Sequence, residues 1–124
     1  MRIITFKMGP ESRTECYVTL LGGQAGGIED NINRWCRQMG LPGLSSEEIE
    51  RLPDLQILDQ DAKYVELTGT YTDMGGEVSP EYGLLGAICT LPDSTIFIKM
   101  TGPEEEVLPE RENFKSFCQS LSLP

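Results

Sequence analysis

The sequence predicts an α+β fold, a mostly antiparallel six-stranded sheet with helices packed on both faces. Three observations lead there. Strand patterns come in pairs joined by turn residues, so hairpins dominate. One amphipathic helix interrupts them after the first pair. The segment Gly83–Leu91 is apolar on both alternating faces, with Leu84 and Ile88 on one and Leu85, Ala87, Cys89 and Leu91 on the other. A strand of that kind must be covered on both sides.

Taken in order, Arg2–Met8 alternates, with Ile4, Phe6 and Met8 opposite Thr5 and Lys7. That period of two marks a strand. Gly9-Pro10-Glu11-Ser12 is a turn, and Glu15–Leu21 is the returning strand. Next comes Gly22–Pro42, a glycine-rich loop feeding a helix over Gly27–Met39. Ile28, Ile32, Trp35, Cys36 and Met39 form one apolar stripe at helical spacing. Glu29 and Asp30 sit where the helix dipole favours acids. Gly40 is a left-handed stop, Leu41 can fold back on Trp35 or Cys36, and Pro42 blocks continuation.

Ser45-Ser46-Glu47-Glu48 reads as a capping box opening a short helix that Pro53 ends. Leu55–Leu58 and Tyr64–Tyr71 read as a hairpin around Gln60-Asp61-Ala62. Thr72–Glu81 reads as a loop, longer than a plain connection needs and so a place for function. After Gly83–Leu91, Pro92-Asp93-Ser94 turns the chain and Thr95–Thr101 returns. The last helical region opens at Glu104-Glu105-Glu106, and Pro109 should break or kink it near Leu108. Val107, Phe114, Phe117, Cys118 and Leu121 supply its apolar face. The order is β-β-α-(α)-β-β-β-β-α, without internal repeats.

The 124 residues suit one domain, 1–124. Ten Lys and Arg against twenty Asp and Glu give a net charge of −10. Phosphate backbones and anionic lipid repel such a chain, which argues against nucleic acid as partner. No apolar run reaches the length of a membrane span. No signal-peptide pattern opens the chain, because Met1-Arg2 leads directly into a strand, so the expectation is either a cytosolic protein or one whose leader lies ahead of this sequence. There is no histidine, so the usual general base and the serine- or cysteine-histidine pairs are missing. Cys16, Cys36, Cys89 and Cys118 form no C-x-x-C pair, and zinc would need thiolates from four distant segments. The expected state is four buried thiols, with one disulfide open to an oxidising compartment. No metal and no cofactor are expected.

Four groups of residues are candidates for a site. Gly22, Gly23, Gly26 and Gly27 precede a helix start, where converging N–H groups can cradle an anion. The phosphate-loop and dinucleotide patterns are both absent, however, and two acids follow, so a tight strand-to-helix crossover is the plainer reading. Asn31, Asn33 and Arg34 lie off the apolar stripe. There Arg34 either meets a carboxylate or partner, or stays solvated or paired with Glu29 or Asp30. Trp35 is expected in the core. Lys99 stands in a strand on the Phe97 face. It can snorkel, pair with a carboxylate such as Glu66, or act as a desolvated base or nucleophile. Glu104-Glu105-Glu106 compensates a helix dipole and lacks a calcium-loop pattern.

AGGIEDNINRWCRQMGLP, YVELTGTY, and FIKMTGP followed by an acidic helix ending FKSFCQSL span nearly the whole chain. The most specific pieces are Asn31-x-Asn33-Arg34-Trp35, Leu67-Thr68-Gly69 and Lys99-Met100-Thr101-Gly102-Pro103. Together they resemble uncharacterised bacterial envelope proteins, often lipoproteins, with a PsbP-like fold. That fold is shared by the extrinsic photosystem protein PsbP and the Ran-binding Mog protein. The resemblance implies a fold and an envelope location, with a leader and a short extended stretch ahead of the segment matching Met1–Phe6. It implies no reaction. The zinc sites of some PsbP relatives do not carry over, since histidine is absent.

The reading is therefore a non-enzymatic binding or accessory domain of the bacterial envelope, its partner a protein or a small ligand. The first alternative is a small-ligand or anion site at the glycine loop and Arg34. The second is an enzyme using Lys99.

Overall fold

The computed structural model describes residues 2–8, by their backbone pairing, and residues 13–22, 27–73 and 75–121. The strands are β1 Arg2–Met8, β2 Thr14–Gly22, β3 Asp54–Ile57, β4 Gln60–Thr72, β5 Val78–Thr90 and β6 Ser94–Pro103. The helices are α1 Ile28–Gln38, α2 Ser46–Glu50, α3 Glu104–Val107 and α4 Arg111–Gln119. The sheet order is β1-β2-β6-β5-β4-β3, and every neighbouring pair is antiparallel. Its body is the five strands from β2 to β3 in that order, with three helical segments against it. The expected six-stranded sheet is corrected to these five, with β1 laid along the free edge of β2. β1 is an added edge, paired on one side only and with a register irregularity between Arg2 and Ile4.

β5 and β6 are central, as the two-sided apolar pattern of Gly83–Leu91 requires. Ile32, Trp35 and Met39 of α1 pack on Leu84, Ile88 and Phe97 on one face. Val107, Phe114 and Cys118 pack on Leu85, Ala87 and Ile98 on the other. Each face buries its own cluster because side chains alternate across a strand.

Helix α1 ends within a residue of the expected limits. Gly40 takes φ 68°. Its N–H donates to Arg37 O at 3.0 Å, and Leu41 N–H donates to Cys36 O at 2.9 Å. Those two bonds make a Schellman stop. The capping box of α2 is complete: Glu48 N–H donates to Ser45 Oγ at 3.2 Å, and Ser45 N–H donates to Glu48 Oε1 at 2.9 Å. Pro109 divides the C-terminal helical stretch, with a 3-10 turn over Leu108–Glu110 between α3 and α4.

One expected turn is strand instead, and one expected loop is strand in part. The β3–β4 turn is Leu58-Asp59, both left-handed at φ 51° and 63°, with Ile57 paired to Gln60. Gln60-Asp61-Ala62 belongs to β4, where Ala62 is fully buried. This is a two-residue primed turn formed without the usual glycine, so composition concealed it. The segment 72–81 is ladder at its two ends, with Tyr71 opposite Ser79 and Thr72 opposite Val78, while Asp73 and residues 75–77 keep the expected loop. Asp73 closes the tip, its carboxylate accepting from the N–H groups of Gly75 and Glu77, each at 2.9 Å. The Gly9–Ser12 turn lies outside the described residues.

One feature of this arrangement positions a site. On the α1 face the helix covers β4, β5 and β6, held by a bond from Thr70 N–H to Met39 O at 3.1 Å. Along β2, Cys16 and Val18 are buried on the α4 face, whereas Glu15, Tyr17 and Thr19 are only half-buried. Among the described residues, no helix covers the strip where β2 and β6 meet on this face.

Candidate functional site

Lys99 stands at the middle of that strip. On β6, Phe97, Lys99 and Thr101 face α1, and Ile96, Ile98 and Met100 face α4. Its strand neighbours are Tyr17 on β2 and Gly86 on β5. Gly86 has no side chain because the Trp35 ring lies on it; an added Cβ would collide with that ring. Lys99 is 4% exposed. Its Nζ donates to Gln38 Oε1 at 2.7 Å. It also lies 5.5 Å from the Tyr71 ring centroid and 5.9 Å from those of Tyr17 and Trp35. An amide oxygen and three aromatic faces compensate for removing an ammonium from water.

Two cavities open on either side of this lysine and share Tyr17, Gln38 and Lys99 as a common wall. The larger, about 420 Å³, reaches the β4–β5 hairpin tip, with Glu15, Asp73, Glu77, Tyr71 and Tyr82 around it. Tyr71 and Tyr82 stack there, centroids 5.8 Å apart and planes 6° from parallel. The smaller, about 310 Å³, runs beside α1 between Arg34, Trp35, Phe97, Thr19 and Leu21.

The structure sorts the expected site residues. Arg34 and Lys99 come together in the smaller cavity. Arg34 does not pair with Glu29 or Asp30: among the described residues its guanidinium has no ion pair, and Glu29 accepts from Ser46 Oγ at 2.7 Å. Asn31 and Asn33 line neither cavity and are bonded into the framework. Asn31 is 3% exposed and its Nδ2 donates to Gly27 O at 2.6 Å, tying the first turn of α1. The Asn33 amide clamps Leu44, accepting from its N–H at 2.6 Å and donating to its carbonyl at 3.3 Å. That pair of bonds sets the path from α1 to α2.

Of the glycines, Gly23 and Gly26 lie outside the described residues. Gly22 ends β2, and Gly27 opens α1 at φ 86°. Neither lines either cavity. The 72–81 segment does line the larger cavity, as a hairpin tip closed by the Asp73 carboxylate.

Sequence reasoning missed Tyr17, Gln38, Tyr71 and Tyr82. A signal existed for Gln38, which lies one helical turn after Arg34. Tyr17 alternates with buried Cys16 and Val18, which marks the opposite face but not what that face meets.

Glu66 does not pair with Lys99, because it projects from the other face of the sheet. There it accepts from Tyr64 Oη at 2.7 Å and from Arg111 through both carboxylate oxygens, Nη2 to Oε2 being 3.0 Å. Burial pushes the Glu66 carboxyl up, but the Arg111 and Tyr64 hydrogen bonds and the charges of Arg111 and Lys115 outweigh it and hold it below its ordinary value. Burial, followed by Glu66, pushes the Tyr64 hydroxyl up. This network is filled by its own members and offers nothing to a ligand.

All four cysteines are buried free thiols. Burial raises Cys16 to about 11 and raises Cys36, Cys89 and Cys118 as well. Thiols in that condition are poor nucleophiles. Among the described residues no three Cys, Asp or Glu side chains are grouped to hold a metal, and no helix is long and apolar enough to cross a membrane.

No family model and no curated protein matches the chain. A solved structure does: a protein of unknown function from Pseudomonas aeruginosa, PA94, described as a candidate regulator. The TM-score is 0.53 at 14% identity, over 98% of this chain and 82% of that one. At that identity the likeness is one of fold. The chain is an α+β protein with an uncharacterised structural neighbour.

Proposed function

We propose that this chain is a non-catalytic binding domain whose ligand site is the open strip of sheet beside α1, centred on Lys99. One observation carries the reading: a buried ammonium, held by Gln38 and three aromatic rings, forms the wall between two adjoining cavities. Small-molecule sites are concave and largely preformed, with few and convergent polar groups, and span about 300–1,000 Å³. Both cavities reach that range. Lys99 serves here as a fixed positive charge. A neutral, nucleophilic amine would forfeit the cation–π contacts and the charge assistance of the Gln38 bond.

We further propose a PsbP-like domain of the bacterial envelope. Support comes from the motif resemblance, and the roles of its residues explain what that resemblance transmits. Asn31, Asn33 and Trp35 of Asn31-x-Asn33-Arg34-Trp35 build α1 and its packing, so the motif carries architecture, with Arg34 its one site residue.

A fragment screen read by amide shifts in ¹H–¹⁵N spectra tests the site. Hits should cluster on Tyr17, Gln38, Tyr71 and Lys99. Hits confined to the α4 face, or none at all from a broad panel, overturn it. Fractionation of the native host tests the location, and recovery in the cytosol alone refutes it.

A further inference from the structure

We infer that the smaller cavity takes an amphipathic anion: a carboxylate joined to a compact aromatic or branched aliphatic group. The inference rests on the binding-domain reading above and names the ligand class for one half of that site. The charges of the two cavities separate them. The larger brings Glu15, Asp73 and Glu77 against Arg13 and Lys99, and Arg13 is itself paired with Glu106 at 3.3 Å. The smaller has Arg34 and Lys99 and no acid among its described lining residues. In a chain of net charge −10, a cavity with two cations and no carboxylate is a local inversion of the field. An anion driven from most of this surface is drawn to that place.

Geometry divides the ligand. Lys99 is buried and anchored at the inner end. Arg34 is exposed at the helix surface, and no hydrogen bond or ion pair occupies it among the described residues. Its planar fork suits a carboxylate bound through two oxygens. The same cavity is lined by Trp35 and Phe97, edge to face with centroids 6.5 Å apart, and by Leu21, one of the two large apolar side chains exposed among the described residues. An apolar group seated there covers exposed Leu21 and the narrow margins of Trp35 and Phe97 that reach the cavity, while its carboxylate meets Arg34 with Lys99 behind. Thr19 and Gln38 add polar atoms at the sides. A free phosphate would meet the charges and leave the apolar wall wet, so the apolar moiety is part of the recognition.

The test uses the chain's only tryptophan, Trp35, which forms the inner wall and reports occupancy by its fluorescence. Three probes of one shape are titrated: 3-phenylpropionate, 3-phenylpropan-1-ol and 3-phenylpropylamine. The expected result is saturable binding of the acid, at least about tenfold tighter than the alcohol or the amine. Tenfold is about 1.4 kcal/mol, the size of one charge-assisted hydrogen bond. Arg34→Ala, a surface change, should weaken the acid by at least about tenfold and leave the alcohol unchanged. Equal binding of acid and alcohol, preference for the amine, or an acid affinity indifferent to Arg34→Ala overturns the inference. If Trp35 responds to no probe while the fragment screen finds ligands in the larger cavity, the inference fails and the binding-domain reading stands. If both cavities stay empty, both fail.

Discussion

Replacing Trp35 with alanine removes the side chain on which one face of the sheet is assembled. The ring is 2% exposed, lies on Gly86, meets Phe97 edge to face and sits near Lys99. A tryptophan buries about 200 Å². At about 25 cal/mol per Å² that is about 5 kcal/mol, an upper figure because the unfolded chain already hides some of it. Mutational experience with large buried aromatics places the loss at about 3–5 kcal/mol. At a urea slope of about 2 kcal/mol/M, the midpoint should fall by about 2 M. Far-UV circular dichroism is the proper readout, since the variant has no tryptophan left to fluoresce. A partner variant isolates the cause. Gly86→Ala puts a methyl group into the ring's space and should cost about 1–3 kcal/mol by overpacking. In the double variant that methyl enters a vacated slot, so the combined loss should fall short of the sum by about 1 kcal/mol or more. A Trp35→Ala loss under about 1 kcal/mol, or strict additivity of the pair, refutes the packing argument.

Asn33→Ala should destabilise by about 1–3 kcal/mol in urea melts, because it strands both backbone groups of Leu44 that the amide satisfies; an unchanged midpoint would return Asn33 to the surface. Glu66 has a folded carboxyl value below its ordinary 4.5, so its stabilising share is present above 4.5 and is lost as pH falls through the lower folded value. The gap in melting temperature between wild type and Glu66→Gln should therefore narrow on acidification below about pH 4.5, and a gap that is constant with pH counts against the Arg111–Glu66 linkage. The thiols should react slowly with a disulfide reagent in native protein, and four should react in denaturant without reductant; a count below four reveals a disulfide.

Much of the framework was legible because its determinants are local. The α1 stripe, the Gly40 stop, the Ser45–Glu48 box and the Pro109 break each depend on residues within a few positions of one another. The two-sided pattern of Gly83–Leu91 likewise announced a central strand, since only a strand covered on both faces is apolar on both. Where local signals misled, a longer-range preference had overridden them. Leu58-Asp59 turns without glycine because the β3–β4 ladder draws Gln60 into register with Ile57. The ends of the 72–81 segment zip up because β4 and β5 continue past the sheet body, and Asp73 closes the remaining tip.

By itself, then, the sequence determined the elements, their caps, the two-faced core and the acidic charge that makes a cationic cavity conspicuous. It also singled out Lys99 as out of place and set Arg34 off the apolar stripe, leaving open whether it meets a ligand or stays solvated or paired. Tertiary structure alone decided that these two share a cavity, that Glu66 lies on the opposite face, and that Asn31 and Asn33 serve the backbone. The reason is strand order. β2 pairs with β6 instead of β3, and α1 lies over β4, β5 and β6, so the uncovered strip falls where Tyr17 and Lys99 meet. Gln38 reaches Lys99 across 61 positions of sequence. No periodicity within one segment encodes a contact of that range; it exists only once the sheet has chosen its neighbours.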